Sequence, residues 1–299
     1  MTRFLVAGLI NLETTLRVEG FPLPYYPVTY PFFGVNSTVS GVGYNLAKAL
    51  TVLGNPVDFL SLIGQDPAAL VVNSALAHDG IPSGRVLPAL KETPQSVILY
   101  DPQGRRQIHV DLKDIQESAY PPEIFSEALA HSDACLLCNI NFSRPFLAEA
   151  HRAGKPIASD VHAISDLDDP YNADYMAAAQ VLFMSDERLP CSPEDWARRI
   201  FRRYGAEIIV IGLGQEGALL CVRRDNFIER IPAAHTRPVV NTIGAGDALF
   251  SAFVHTYFQS GDPYEALRRA VVFASWKIGA RGAADGFLNV AEWNQILEG

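Results

Sequence analysis

The chain has only four cysteines in 299 residues, Cys135, Cys138, Cys191 and Cys221, too few and too scattered for a disulfide framework at this length. Cys135 and Cys138 have the spacing of a redox or zinc pair. The run around them, "ACLLCNI", reads as a buried strand, and no second pair completes a zinc site, so both are assigned to the core. Positive charge is also in deficit. The 24 Lys and Arg against 33 Asp and Glu give a net charge of −9, which disfavours nucleic acid or an anionic membrane as the main partner. No apolar run reaches membrane-spanning length. The apolar start of "MTRFLVAGLINLE" is short, lacks a small-residue cleavage site and runs into Asn11 and Glu13, so it reads as a buried first strand, not a secretory signal. Repeats and low-complexity segments are absent too. The expectation is a cytoplasmic protein whose partner is a small molecule.

What is present is an alternation. "RFLVAGLI", "VDFLSLIG", "DACLLCNI", "KPIASDV", "QVLFMSD" and "AEIIVIGLG" are strand candidates. Between them, "GYNLAKALTVLG", "PAALVVNSALAHDG", "RPFLAEAHRAG" and "EDWARRIFRRYG" carry apolar residues at helical spacing. This order predicts a single α/β domain over 1–299, with a doubly wound, mostly parallel sheet covered by helices on both faces. Two segments break the rhythm: the proline- and aromatic-rich 14–40, and 94–113, which reads as a hairpin turned at "DPQG". They predict a small β lid over one edge of the main sheet. The same strands would also serve a homodimer interface. Tyr25, Tyr26, Tyr30, Phe32 and Phe33 would stack on a nucleobase or, the more frequent use, pack on the lid's base or a second subunit. His109, Asp111 and Lys113 would share one strand face, toward substrate or toward solvent.

Three glycine-rich turns need one explanation. In "NTIGAGDALF", Gly244, Ala245 and Gly246 would let an anion reach backbone N–H groups at a helix start, and Asp247 would be either a reactive carboxylate or a helix cap. In "VIGLGQEGALL", Gly212, Gly214 and Gly217 follow a strand, as a phosphate loop or a hairpin turn. In "SGVGYNLAKALTVLG", Gly41 and Gly43 precede Asn45 on a helix.

"NTIGAGD" and "SGVGYNLAKALTVLG" resemble the carboxyl- and amino-terminal signatures of the ribokinase-like, or PfkB, carbohydrate kinases, and "LIGQD" and "ARGA" fall in that family's order. The resemblance implies transfer of the γ-phosphoryl group of ATP to a hydroxyl, usually a hydroxymethyl, of a sugar or nucleoside. It implies Asp247 as proton acceptor, and Gly244, Ala245 and Gly246 as the anion hole. Gly212, Gly214, Gly217, Thr242 and Val271 would serve ATP, and Asn11, Glu13, Gly41, Gly43, Asn45 and Asn141 the substrate. Asn11 and Glu13 would close the first strand. The family's magnesium-ordering Asn and Glu fall at Ser185 and Arg188, leaving Asp186 or Glu187 to hold Mg2+ through water. Asn241, at the family's acidic position, would weaken a K+ loop shared with "RGA", so modest activation by potassium is expected. A nucleoside kinase, favoured by the aromatic lid, and a non-catalytic sugar or nucleotide sensor, favoured by the altered magnesium motif, are the competing expectations.

Overall fold

The computed structural model describes residues 1–298. Its first half contains β1 (Phe4–Ala7), β2 (Asn11–Arg17), β3 (Val35–Ser40), α1 (Val42–Val52), β4 (Val57–Ile63), α2 (Pro67–His78), β5 (Val86–Pro88), β6 (Gln95–Tyr100), β7 (Arg106–Asp111), α3 (Pro122–His131) and β8 (Ala134–Leu137). Then come α4 (Arg144–Arg152), β9 (Ile157–Ala163), α5 (Ala173–Ala178), β10 (Val181–Ser185), α6 (Pro193–Arg203), β11 (Ile208–Gly212), β12 (Ala218–Val222), β13 (Phe227–Ile231), α7 (Ala245–Ser260), α8 (Pro263–Lys277) and α9 (Val290–Glu298).

Nine strands form the main sheet in the order β13-β12-β11-β10-β9-β8-β1-β4-β5. All pairings from β11 to β5 are parallel, while β12 and β13 add an antiparallel edge. The apolar strand sequences follow from burial on both faces. Phe4 and Val6 enter one core with Leu46, Val72, Phe250, Leu267 and Trp293 from α1, α2, α7, α8 and α9. Leu5 and Ala7 enter the other with Phe125, Phe146, Tyr175 and Trp196 from α3 to α6. Alternate side chains of one strand point to opposite faces, so a strand covered twice must be apolar throughout. Cys135 and Cys138 are free and buried in these cores.

The expected lid segments form a separate sheet of order β3-β2-β6-β7. The "DPQG" turn forms because the Asp101 carboxylate accepts from the Gln103 and Arg105 amides at 3.1 and 2.9 Å and from Arg105 Nε at 2.7 Å. Three details differ from the sequence expectation. The first strand ends at Ala7, and Asn11 and Glu13 lie on the lid's β2. The chain breaks there because α1 docks on the connection: Tyr44 N donates to Leu9 O, and a Cβ at Gly43 would lie 2.5 Å from the Gly8 carbonyl carbon. Residues 18–34 form no strand, since Pro22, Pro24, Pro27 and Pro31 cannot donate to a ladder. Their aromatic side chains do not pack on the lid's base; Tyr25 is 90% and Phe33 100% exposed. Lys113 falls outside β7, at φ 52°, and its ammonium pairs with Asp111 and Glu92 at 2.7 and 2.9 Å, so the face it was expected to share is not formed.

Candidate active site

The signature loop enters α7 through Gly244, whose φ of 75° and close approach to the Ala283 carbonyl leave no room for a side chain; a Cβ there would sit 2.4 Å from that oxygen. Ala245 N donates to Thr242 O and Ala248 N to Gly244 O. Among the described residues no backbone acceptor is paired with the amides of Gly246 and Asp247. Gly246 is exposed with open space around its α-carbon. The first turn of α7 thus offers free donors and the positive end of the helix dipole to an anion. Asp247 is the third residue of the helix, so the capping position belongs to Gly244 and not to this carboxylate.

Asp247 Oδ2 accepts from Asn45 Nδ2 at 2.6 Å, a contact between helices α1 and α7. Its Oδ1 has no protein partner among the described residues. Burial lifts the Asp247 carboxyl above the usual carboxylate range, with Asp160 adding to the rise and Asn45, His162 and Lys277 opposing it. Asp160 stands on β9, and its Oδ1 holds the amide of His162, at φ 57°, at 2.8 Å.

Next to this carboxylate lies the base of the lid. Asn11 and Glu13 are 3% and 5% exposed. They pair with Ser40 and Thr38 of β3 in the lid ladder. Asn11 Nδ2 donates to Ser96 Oγ at 2.9 Å, and Ser40 Oγ lies 3.5 Å from Asn45 Oδ1. Asn11 Oδ1, Glu13 Oε1 and Thr38 Oγ1 are buried and unpartnered. Such atoms carry a desolvation penalty unless something donates to them. Burial pushes the Glu13 carboxyl above its ordinary range; the Ser40 hydroxyl and the Lys277 ammonium pull it back. Gly41 and Gly43 face the backbone at residues 8–10. Their observed role is to seat α1.

Beyond the signature, Gly212, Gly214 and Gly217 form a hairpin turn between β11 and β12, closed by Leu213 N to Gly217 O at 2.9 Å. It stands at the carboxyl end of β11, beside Asp186, whose amide donates to Gly212 O at 3.1 Å. Burial, together with Glu187 and Glu216, raises the Asp186 carboxyl. Glu187 and Glu216 are each paired with an arginine, Arg106 and Arg230, at 3.1 and 2.8 Å, which leaves Asp186 as the carboxylate here without an ion-pair partner among the described residues, and no cluster of three or more metal-ligating side chains forms among those residues. Val271 of α8 is buried in the core beneath. Asn141 is not brought to the cluster: its amide groups serve Gln116 and its Oδ1 receives Arg144.

Two residues that motif reading missed enter here. Arg106 crosses from the lid's β7 to donate to Thr242 Oγ1 at 2.9 Å and to Glu187 Oε1 at 3.1 Å. Lys277, at the end of α8, is fully buried and donates to Ile243 O. Its signal was present in the sequence: it continues the buried stripe of Ala270 and Phe273 at helical spacing, where an ammonium group is out of place. Asn241 Nδ2 donates to Ala280 O and Arg281 O at 3.3 and 2.7 Å, and its Oδ1 accepts from Ile243 N at 3.0 Å. Carbonyl groups that the potassium expectation reserves for an ion therefore accept from the chain's own N–H groups. With the Lys277 ammonium on Ile243 O, these donors compete with a resident cation for the same carbonyls.

The family model described as pfkB family carbohydrate kinase matches residues 1–289. Among relatives, an acarbose 7(IV)-phosphotransferase of Actinoplanes sp. is 26% identical over 270 residues, 90% of this chain and 89% of that protein. An ATP-dependent ribose-1-phosphate kinase of Halopiger xanaduensis is 25% identical over 290 residues, 95% and 94% of the two chains. A microbiome-derived acarbose kinase superposes with a TM-score of 0.88 at 26% identity over 100% of this chain and 99% of that one. Arabidopsis thaliana ribokinase, complexed with ribose and ATP, gives 0.81 at 19% identity over 100% and 99%.

Proposed function

We propose, from the premise that this chain belongs to the pfkB family of carbohydrate kinases, that it transfers the γ-phosphoryl group of ATP to a hydroxymethyl group of a sugar, with Asp247 as base. The observation that carries this reading is the placement of a carboxylate with one free oxygen beside three unpartnered buried polar atoms. Asn45 fixes Oδ2 and leaves Oδ1 for the acceptor hydroxyl. Asn11 Oδ1, Glu13 Oε1 and Thr38 Oγ1 would take hydrogen bonds from neighbouring hydroxyls of the same polyol. Burial of Asp247 makes it a stronger base than a carboxylate in water.

In the transfer, the hydroxyl oxygen bonds to the γ-phosphorus as its proton passes to Asp247 Oδ1. The bond from that phosphorus to the β,γ-bridging oxygen breaks, and ADP leaves. The free amides at the start of α7, over Gly244, Ala245 and Gly246, would stabilise the equatorial oxygens, as a reaction dominated by positioning and electrostatics requires. Asp186 and Glu187 would hold Mg2+ through water, and the ion would neutralise phosphate charge. The loop of Gly212, Gly214 and Gly217, with Thr242, would border the nucleotide, and Val271 would support it from the core. Arg106 would leave Glu187 and turn to the phosphates.

Kinase activity itself follows from family membership, which sets the sensor reading aside. Choice of substrate is the finer question. The unpartnered acceptors favour a sugar, and two relatives named for acarbose favour an oligosaccharide-like one. The exposed aromatics of residues 25–33 are the observation that keeps a nucleoside as the second reading. ATP consumption over a panel of monosaccharides, acarbose and nucleosides separates them. Transfer only to nucleosides would overturn the sugar assignment.

A further inference from the structure

The loop that delivers Asp247 is held by two strips of backbone, 240–244 and 278–283, whose carbonyls converge. Val240 N and Asn241 N both donate to Ile278 O. The Asn241 amide spans Ala280 O and Arg281 O. Ile243 O, immediately before the anion cradle, receives the Lys277 ammonium. This ammonium is fully buried, and Asp247, Asp285 and Glu13 all act on it attractively, while Arg106 opposes. Asp285 in turn holds the Gly282 amide at 3.0 Å. One buried cation therefore bonds to the loop at Ile243 O and lies within electrostatic reach of three carboxylates.

We infer that Lys277 is a tethered monovalent cation of the active site: its ammonium supplies the charge that a dissolved ion would lend to the signature loop, while the Asn241 amide closes the carbonyl cluster against such an ion. The inference rests on the kinase reading. A buried charge without compensation is expensive, and an ammonium covalently fixed in the core spares the site the loss of freedom of a bound ion. The amide of Asn241 supplies donors without charge, so the buried positive charge on the Ile243 carbonyl comes from Lys277. Its place explains two effects at once. It stiffens the loop through Ile243 O, and it favours the ionised form of Asp247 against the burial that raises that carboxyl. Lys277 acts through the loop and through Asp247, as a positioning residue.

The test begins with the wild type, which needs no variant. Phosphate transfer and melting temperature are measured in Mg2+ throughout, with tetramethylammonium as the only added monovalent cation, then with K+. The inference expects both to be unchanged, and severalfold activation or a higher melting temperature in K+ overturns it. If no acceptor is phosphorylated under either condition, the kinase reading fails while the melting measurement still decides about the cation. Lys277→Met keeps the stem and removes the charge; it should bind ATP yet lose roughly a hundredfold in turnover, the scale of one lost preorganised electrostatic contact. Lys277→Ala opens space where the ammonium was. Methylammonium should restore part of its turnover and raise its melting temperature while leaving the wild type and Lys277→Met unaffected, a response that a merely structural lysine would not give. Full turnover in either folded variant, or a folded Lys277→Ala indifferent to methylammonium, overturns the assignment.

Discussion

Asp247 poses the sharpest question at the scale of single residues, because it stands at the third position of α7 and spends one oxygen on Asn45. An amide in its place would keep the shape and could still face Asn45, but it could not take a proton. General-base catalysis contributes about 10²–10⁴-fold. Asp247→Asn is therefore expected to fold, bind ATP and lose at least about a hundredfold in turnover, read as phosphate transfer at saturating substrates; near-normal turnover would remove the base. For Glu13, the unpartnered Oε1 fixes a different outcome. Hydrogen bonds to a charged group contribute on the order of 1.5–3 kcal/mol, so Glu13→Gln should raise the sugar KM roughly ten- to hundredfold, with a smaller effect on ATP. A shift in ATP affinity alone would move Glu13 out of the sugar site. The residues legible in the sequence were those marked by contiguous pattern: the small residues of "GAGD", and Asn45 just after two glycines. Arg106 carries no local pattern, since its partners Thr242 and Glu187 lie far along the chain, and Lys277 shows only as a charge in the apolar stripe of α8, with its partner Ile243 on another segment. Asn141 shows the converse. Its position suggested a substrate contact, but Gln116, distant in sequence, takes its donors.

Among elements, the small sheet ties the polar cluster beside Asp247 to the signature loop. β2 bears Asn11 and Glu13, and β7 bears Arg106, which reaches Thr242 and Glu187. Binding of sugar and nucleotide should hold these strands against the main sheet, since transfer to an alcohol must exclude competing water. Amide hydrogen exchange in residues 14–40 and 94–113 is expected to slow when both substrates bind. In Arg106→Ala the slowing of 94–113 should be weaker than that of 14–40, because only the former loses its tie to the signature loop. Unchanged exchange in both segments, with substrate shown to be bound, would end the lid role. The main-sheet strands were legible because burial on both faces forces continuous apolar runs, as in "FLVA" and "IIVIG". The break after Ala7 was not, because it depends on α1 pressing Gly43 against Gly8, a contact between elements. β13 escaped for a related reason: "FIERI" is half polar at an exposed edge, so no apolar run announces it.

For the molecule as a whole, the carboxylates Asp247, Glu13, Asp160 and Asp285 act on one another or on Lys277 in a chain with net charge −9. The buried ammonium of Lys277 sits among them, and it makes activity and stability answer to pH in opposite directions. Burial pulls its pKa from 10.5 to about 8, with Asp247, Asp285 and Glu13 limiting the fall and Arg106 adding to it. At pH 7 the group is charged in both folded and unfolded chains, so folding must desolvate an ammonium. Between about 8 and 10.5 the folded chain has released this proton while the unfolded chain still holds it. The unfolded state then binds more protons, and stability from this group rises with pH. The full span corresponds to roughly 3 kcal/mol, at about 1.4 kcal/mol per pKa unit. Over the same interval the site loses its tethered cation, so turnover should fall. Buried cysteines such as Cys135, raised to about 12, act against stability in the alkaline range, so the readout is the difference between wild type and Lys277→Met, in which the cysteines cancel. Denaturant unfolding from pH 7 to 10 is expected to show the wild type gaining on the variant, while wild-type turnover drops through a limb near pH 8. On the acid side turnover should fall below the raised pKa of Asp247, giving a bell whose two limbs belong to these two groups. Turnover and relative stability that rise together above pH 8 would show that the charge on Lys277 is a burden to the fold and no help to the chemistry.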